Sequence, residues 1–238
     1  MNRAPGPLLA LLIAAGVAVG CVEAPSAPLS SPAPAIEPVA QIPEPAADSV
    51  ERRVQEMTVR VRSLGCEQFG VGSGFVLPDG VVVTNRHVIE QPREVTVNTW
   101  DGRSLSAEVV GLAQDTDLAL LRLDDATGLP VAELRPDPVR RGEQVLAVGY
   151  PGGGPATVTP GRVVGTVDGT VLGEPAEVIR VEVEITQGSS GGPLVDRSGR
   201  VVGVMFAIEV DAGIGLAVPV ATLLDRLEAQ SFVAPGAC

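Results

Sequence analysis

QGSSGGPLV, residues 187–195, sets two serines side by side between glycines, followed by a proline and an apolar pair. Read blandly, it is a turn. Read chemically, one of Ser189 and Ser190 is a nucleophile. A hydroxyl at its ordinary pKa is a weak nucleophile and needs a base within hydrogen-bond reach, with a third group to orient that base. The chain has one histidine, His87, and no lysine, all 17 basic residues being arginine. The lack of lysine disfavours a Ser–Lys hydrolase, and one histidine without H-E-x-x-H excludes the usual zinc-protease signature. Either His87 serves one of these serines or the chain is not a His-activated serine enzyme.

Spacing chooses between the serines. A tetrahedral oxyanion needs two converging backbone N–H donors, commonly those of the nucleophile and of the residue two before it. With Ser190 attacking, that second residue is Gly188, which adopts almost any backbone angles. With Ser189 attacking it would be Gln187. Gly191-Gly192-Pro193 also keeps side chains away from a substrate centred on Ser190. The expected nucleophile is therefore Ser190, with the Gly188 and Ser190 amides as its oxyanion hole.

His87 follows Val81-Val82-Val83-Thr84-Asn85-Arg86, a buried-strand pattern that delivers it to a strand end. Further on, Asp115-Thr116-Asp117 opens the apolar run Leu118-Ala119-Leu120-Leu121. A carboxylate so placed can accept from an imidazole, fix its tautomer and stabilise the imidazolium. Asp115 and Asp117 share a parity, so alternation does not separate them, and adjacency to the strand favours Asp117. The bland alternative is an Asx turn opening a strand.

Composition bounds the rest. The 238 residues include 28 Gly, 21 Pro and six aromatics, so the core must be built from Val, Leu, Ile and Ala. The net charge of −12 argues against nucleic acid as a partner and against electrostatic docking on anionic lipid. Leu8 to Val19 is a near-continuous apolar run, too short for a bilayer span of about 20 residues and suited to a signal peptide over 1–21. Cys21 directly follows it, as in a bacterial lipoprotein signal, with Ala18 where Leu is commoner. An uncleaved signal anchor is the alternative. Residues 22–47 carry seven prolines among Ala, Ser and Glu. They read as an extended tether able to reach roughly 80 Å at about 3.1 Å per residue.

From residue 48 the pattern becomes short β-branched runs punctuated by Gly, Pro, Asp and Asn, the grammar of strands and turns. Candidate strands cover 58–64, 74–77, 81–84, 95–99, 105–111, 118–123, 144–149, 156–167, 178–185, 194–195, 201–206 and 215–218. About a dozen strands at this spacing predict an all-β sandwich or barrel fold. Only 219–230 has a strong helical stripe, through Val220, Leu223, Leu224 and Leu227. Two β-units, about 57–128 and 143–218, divide near 129–142, where three prolines and alternating charge suggest a linker. No internal repeat is visible.

The order His, Asp, Ser, with TNRHV (84–88), DTDLALL (115–121) and GSSGGPLV (188–195), resembles the trypsin-like serine proteases of the chymotrypsin fold, in particular their HtrA-related bacterial branch. With GYPGGGP (149–155), the chain is most similar to the actinobacterial membrane-associated acid-resistance periplasmic proteases of that branch. The resemblance spans about 57–219. It implies two six-stranded antiparallel β-barrels with His87, Asp117 and Ser190 in the cleft between them, followed by a C-terminal helix. Ser189 stands where that family usually has Asn and Arg86 where Ala is common, and neither the four transmembrane helices nor the PDZ module of such proteases is expected from these residues.

By the same resemblance the specificity pocket falls at Ile185, Thr186, Met205, Phe206 and Ala207. Val181, Val183 and Ile185 alternate with Glu182 and Glu184, so an apolar pocket is expected and Glu184 should point outward, the alternative being that Glu184 selects Lys or Arg. Lipidation at Cys21 would leave Cys66 and Cys238 as an even pair outside the cytoplasm, where disulfides persist. Related actinobacterial proteases resemble this in pairing a cysteine near the domain start with one near its end.

The expected protein is thus a serine endopeptidase of the cell envelope, tethered to the membrane and acting on protein or peptide substrates, with no metal or cofactor required. The rivals are a catalytically silent peptide-binding module and an esterase. The order Ser, Asp, His of esterases with a G-x-S-x-G elbow argues against the latter.

Overall fold

Two closed barrels share one strand order. In this computed structural model, which describes residues 49–66, 68–89, 91–113, 115–169, 177–209 and 212–236, the first barrel contains β1 (Thr58–Gly65), β2 (Phe69–Val76), β3 (Val81–Asn85), β4 (Pro92–Asn98), β5 (Ser104–Leu112) and β6 (Leu118–Leu123). The second contains β7 (Gln144–Gly149), β8 (Thr157–Asp168), β9 (Glu177–Val183), β10 (Pro193–Asp196), β11 (Val201–Glu209) and β12 (Ile214–Pro219). Around the first, the order is β1-β2-β3-β6-β5-β4; around the second, β7-β8-β9-β12-β11-β10, the same circuit. The barrels repeat a topology that their sequences do not.

Alternation builds each wall. On β1, Val59 and Val61 are buried while Arg60 and Arg62 turn outward; on β9, Val181 and Val183 are buried and Glu182 is exposed. Each fully buried Val or Leu contributes about 1.5–3 kcal/mol relative to exposure. One apolar cluster fills the first barrel, around Val61, Val82, Val97 and Leu121. A second fills the other, around Ala147, Ile179, Val181 and Leu194. A third joins them through Phe75, Val83, Leu118, Val148, Val195 and Val204. A continuous apolar seam therefore joins the two barrels.

Two elements depart most from the sequence expectation, while β4 starts earlier than 95, β9 stops at Val183 short of 185 and β11 runs on past 206 to Glu209. An unexpected helix, α1 (Val50–Met57), precedes β1, capped by the Ser49 hydroxyl, which accepts from Arg52 N–H at 3.1 Å. Val54 and Met57 are its buried face. It also lacks a long apolar stripe, which is why periodicity misses it. The second departure is β2, which starts at Phe69 and not near Gly74, because Gly70, Gly72 and Gly74 break the β-branched pattern while still pairing with Ser63, Val61 and Val59.

The expected C-terminal helix is α2 (Val220–Glu228), with Val220 and Leu223 buried. Beyond it the chain returns to the first barrel: Val233 exchanges hydrogen bonds with Leu112 at 2.8 and 2.9 Å. Residues 129–142 run along both barrels, Ala132 N–H donating to Val76 at 2.7 Å and Arg135 N–H to Val201 at 2.8 Å. The signal and tether readings, Cys21 and Cys238 lie outside the described residues. Among the described residues no helix is long and apolar enough to cross a membrane.

Candidate active site

β3 ends at Asn85, and a single 3-10 turn, Arg86–Val88, carries His87 out to solvent. Asp117 precedes β6, the strand paired with β3, so the two residues meet at one end of the first barrel. The Asp117 carboxylate binds His87 twice: Oδ2 lies 2.6 Å from the ring Nδ1, and Oδ1 accepts from the backbone N–H at 3.0 Å. Asp117 takes a left-handed backbone (φ 48), a conformation that Asp tolerates better than most residues. Its carbonyl accepts from Arg86 N–H at 2.9 Å and from Asn85 Nδ2 at 3.0 Å. The imidazole is 45 % exposed and the carboxylate 12 %, so the ring is open to a substrate while its orienting partner is shielded.

Asp115 goes elsewhere. Its carboxylate pairs with Arg226 of α2 at 2.6 Å. Of the two acids that the sequence left at equal parity, Asp117 is the one the fold brings to His87.

The serine turn belongs to the second barrel, immediately before β10. It lies across Gly72 from the His87 turn: a Cβ at Gly72 would meet Val88 on one side, at 2.6 Å, and the Ser190 carbonyl oxygen, at 2.9 Å. Only glycine lets these two segments approach. Ser189 is 5 % exposed, whereas Ser190 is only partly buried. The Ser190 hydroxyl faces the Phe206 carbonyl at 3.5 Å, and among the described residues it makes no hydrogen bond to His87. Catalytic hydrogen bonds are commonly long without substrate and tighten in the Michaelis complex.

Gly188 has φ +100, and a Cβ there would lie 2.5 Å from the Tyr150 carbonyl oxygen and 2.8 Å from Gly152 N. The backbone N–H groups of Gly188 and Ser190 donate to no other backbone carbonyl among the described residues. They are the two amides that the sequence singles out for an oxyanion.

Ile185, Thr186, Met205, Phe206 and Ala207 come together with Ser190 around one cavity of about 60 Å³. Met205 and Phe206 are buried. Glu184 is exposed and lines a different cavity, of about 270 Å³, with Thr157 and Thr159. The two cavities adjoin, sharing Ile185, Thr186 and Ser189.

Sequence reasoning missed Ser73, which is fully buried and bonded to both the Tyr150 turn and Gly188, and it missed Arg60. Ser73 sat in plain view between two glycines, a sign of close backbone approach. Arg60 carried no signal, being one of several outward arginines on an alternating strand.

Paired barrels of this topology, with an Asp-bound histidine on one and a glycine-flanked serine turn on the other, are chymotrypsin-like in architecture. A family model described as trypsin-like peptidase domain matches residues 72–204, and the chain belongs to that family. Serine protease Rv3671c of Mycobacterium tuberculosis is 33% identical over 229 residues, covering 90% of this chain and 54% of that protein. The crystal structure of its protease in the active form superposes with a TM-score of 0.69 at 31% identity, covering 85% of this chain and 98% of that one. A probable periplasmic serine endoprotease, DegP-like, of Pseudomonas savastanoi is 36% identical over 181 residues, covering 71% of this chain and 37% of that protein. The chain thus spans about half the length, or less, of these relatives.

Proposed function

We propose that this protein is a serine endopeptidase in which Ser190 attacks the scissile carbonyl, His87 takes its proton and later delivers it to the leaving amine, and Asp117 holds and stabilises the imidazolium. The amides of Gly188 and Ser190 receive the oxyanion, and the apolar cavity bounded by Met205, Phe206 and Ala207 receives the side chain before the scissile bond. The observation that carries this reading is the pair of hydrogen bonds between the Asp117 carboxylate and His87, at 2.6 and 3.0 Å, on the turn that faces the serine loop across Gly72. Family membership and the named proteases among its relatives support it.

The substrate is a protein or peptide, and the compartment is the cell envelope. The apolar run before Cys21 and the proline-rich tether support that location, as does the periplasmic naming of the Pseudomonas relative. Hydrolysis of an unfolded protein such as casein by the purified full chain, absent in Ser190→Ala, tests the activity. The hydroxyl's bond to the Phe206 carbonyl favours one second reading, a silent module that binds peptides. That reading requires peptide binding without turnover in the same assay.

A further inference from the structure

Gly188 cannot orient its own N–H. At φ +100 and without a side chain, glycine itself sets little preference for the orientation of its flanking peptides, so whether that amide faces a substrate is decided by what holds the neighbouring carbonyls. In a trans peptide the C=O and N–H point in opposite directions, so fixing the Gln187 carbonyl fixes the Gly188 amide. The Gln187 carbonyl accepts from Gly152 N–H at 2.7 Å. The next carbonyl, that of Gly188, accepts from the Ser73 hydroxyl at 2.7 Å, and the same hydroxyl accepts from Tyr150 N–H at 2.9 Å.

Both holds trace back to the first barrel. Ser73 on β2 is fully buried, and its hydroxyl and N–H both reach across to the serine-bearing barrel: the N–H donates to the Ser190 carbonyl at 2.7 Å, while its carbonyl is fixed within its own barrel by the Thr84 hydroxyl at 2.7 Å. The turn that supplies Gly152 is pinned by Arg60 of β1. That guanidinium donates to the Gly153 carbonyl at 2.7 Å, lies 5.8 Å from the centre of the Tyr150 ring, and is braced by Asn98 Oδ1 at 3.1 and 3.3 Å. The Tyr150 hydroxyl adds a bond to the Thr58 carbonyl at 3.1 Å.

From this clamp we infer that Ser73 and Arg60 are positioning residues of the oxyanion hole: the histidine-bearing barrel sets the direction of the Gly188 amide on the serine-bearing barrel. The inference rests on the peptidase reading above. Without the Ser73 hydroxyl, the Gly188 carbonyl and the Tyr150 amide are left buried and unpaired, and the cheapest relief is rotation of the peptides on either side of Gly188. Such rotation removes one oxyanion donor while leaving the His87–Asp117 pair and the apolar cavity in place.

The test uses the full chain and its Ser73→Ala, Arg60→Met and Arg60→Lys variants, each normalised to its active-site concentration. Loss of an oxyanion donor costs on the order of 100-fold in kcat. The expected result is a fall in kcat of about that size for Ser73→Ala, with KM changed less than about threefold. A peptide boronate, which mimics the tetrahedral intermediate, should weaken in parallel, while a product peptide binds as before. Arg60→Met should show the same pattern at smaller size, with Arg60→Lys recovering part of it through a donor to Gly153. Should Ser73→Ala not fold, the two Arg60 variants carry the test, because that side chain is only partly buried. Unchanged kcat per active site, or equal weakening of boronate and product peptide, overturns the inference while leaving the peptidase reading intact. A wild-type chain without turnover overturns both.

Discussion

The Asp117 carboxylate meets His87 with both oxygens, one on the ring Nδ1 and one on the backbone N–H. This double contact fixes the ring's position as well as its tautomer, since the ring and the main chain of one residue are tied to a single planar group. Asp117→Asn keeps the shape but presents an amide to Nδ1, favouring the wrong tautomer, and should lower kcat by about 10⁴-fold. Asp115→Asn loses only a half-exposed pair with Arg226 and should leave kcat within about twofold. Steady-state kinetics of the two variants on one peptide substrate check this, and a larger loss in Asp115→Asn would reverse the assignment.

Asp196, at the end of β10, is buried and accepts from Arg200 Nε and Nη2 at 3.0 and 2.8 Å, from Arg135 at 3.2 Å, and from the Ser198 and Arg200 backbone N–H groups at 2.8 and 3.1 Å. Burial pushes its pKa up, but these backbone and arginine donors outweigh it and hold the carboxyl below the ordinary carboxylate value. A carboxyl depressed in the folded state stabilises fully above its unfolded pKa of about 3.9, and that stability is lost as pH falls through the lower folded value. Asp196→Asn should therefore lower stability at pH 7 by about 2 kcal/mol, with the difference shrinking below pH 4. Denaturant titrations at pH 7 and pH 3 measure it, and a gap that is constant across pH contradicts the assignment.

Much of this was legible in the sequence, and what was not has a physical reason. The barrel strands were visible where one face is buried, as in Val181, Glu182 and Val183, because the pleat imposes a period of two. The first half of β2 was hidden because Gly70 and Gly72 are selected by close approach to the His87 turn and the serine loop, and a glycine leaves no apolar mark. Helix α1 is short and charged, so its buried Val54 and Met57 did not form a stripe long enough to read. His87 and Ser190 stood out by chemistry and by neighbouring glycines. The choice of Asp117 over Asp115 rested on adjacency to a strand, and the fold shows why adjacency mattered: β3 and β6 pair, with Asn85 opposite Leu118. Ser73 left only the mark of its two flanking glycines and Arg60 left none, since their roles exist only once two barrels face each other.

Cys66 follows β1, whose Gly65 is paired with Pro92, and Pro235 of the C-terminal tail lines a groove with Pro92, Arg93 and Glu94. The tail is thus led toward the end of β1 where Cys66 sits, which supports the proposed Cys66–Cys238 disulfide. Thiol counting in the unfolded, unreduced protein should find neither of these two cysteines reactive, and a linked peptide should contain both. A loop of this size can stabilise by up to about 5 kcal/mol, so reductant should lower the melting temperature of the wild type but not of a Cys66→Ser, Cys238→Ser double mutant. Two reactive thiols at these positions would end the proposal.

The tether and Cys21 predict that the mature protein partitions with membranes, and that Cys21→Ser releases it or blocks its processing. Mass spectrometry of the mature N-terminus decides: a lipid-modified Cys21 is expected, and an unmodified chain beginning beyond it means ordinary secretion.

The central claim is that Ser190 is a nucleophile activated by His87. Labelling of the purified full chain with a fluorophosphonate, followed by peptide mapping, tests it most directly. One phosphonyl group on Ser190 is predicted, lost in Ser190→Ala, reduced by orders of magnitude in His87→Ala and largely retained in Ser189→Ala. No labelling of the wild type, or adduct on Ser189, would contradict it.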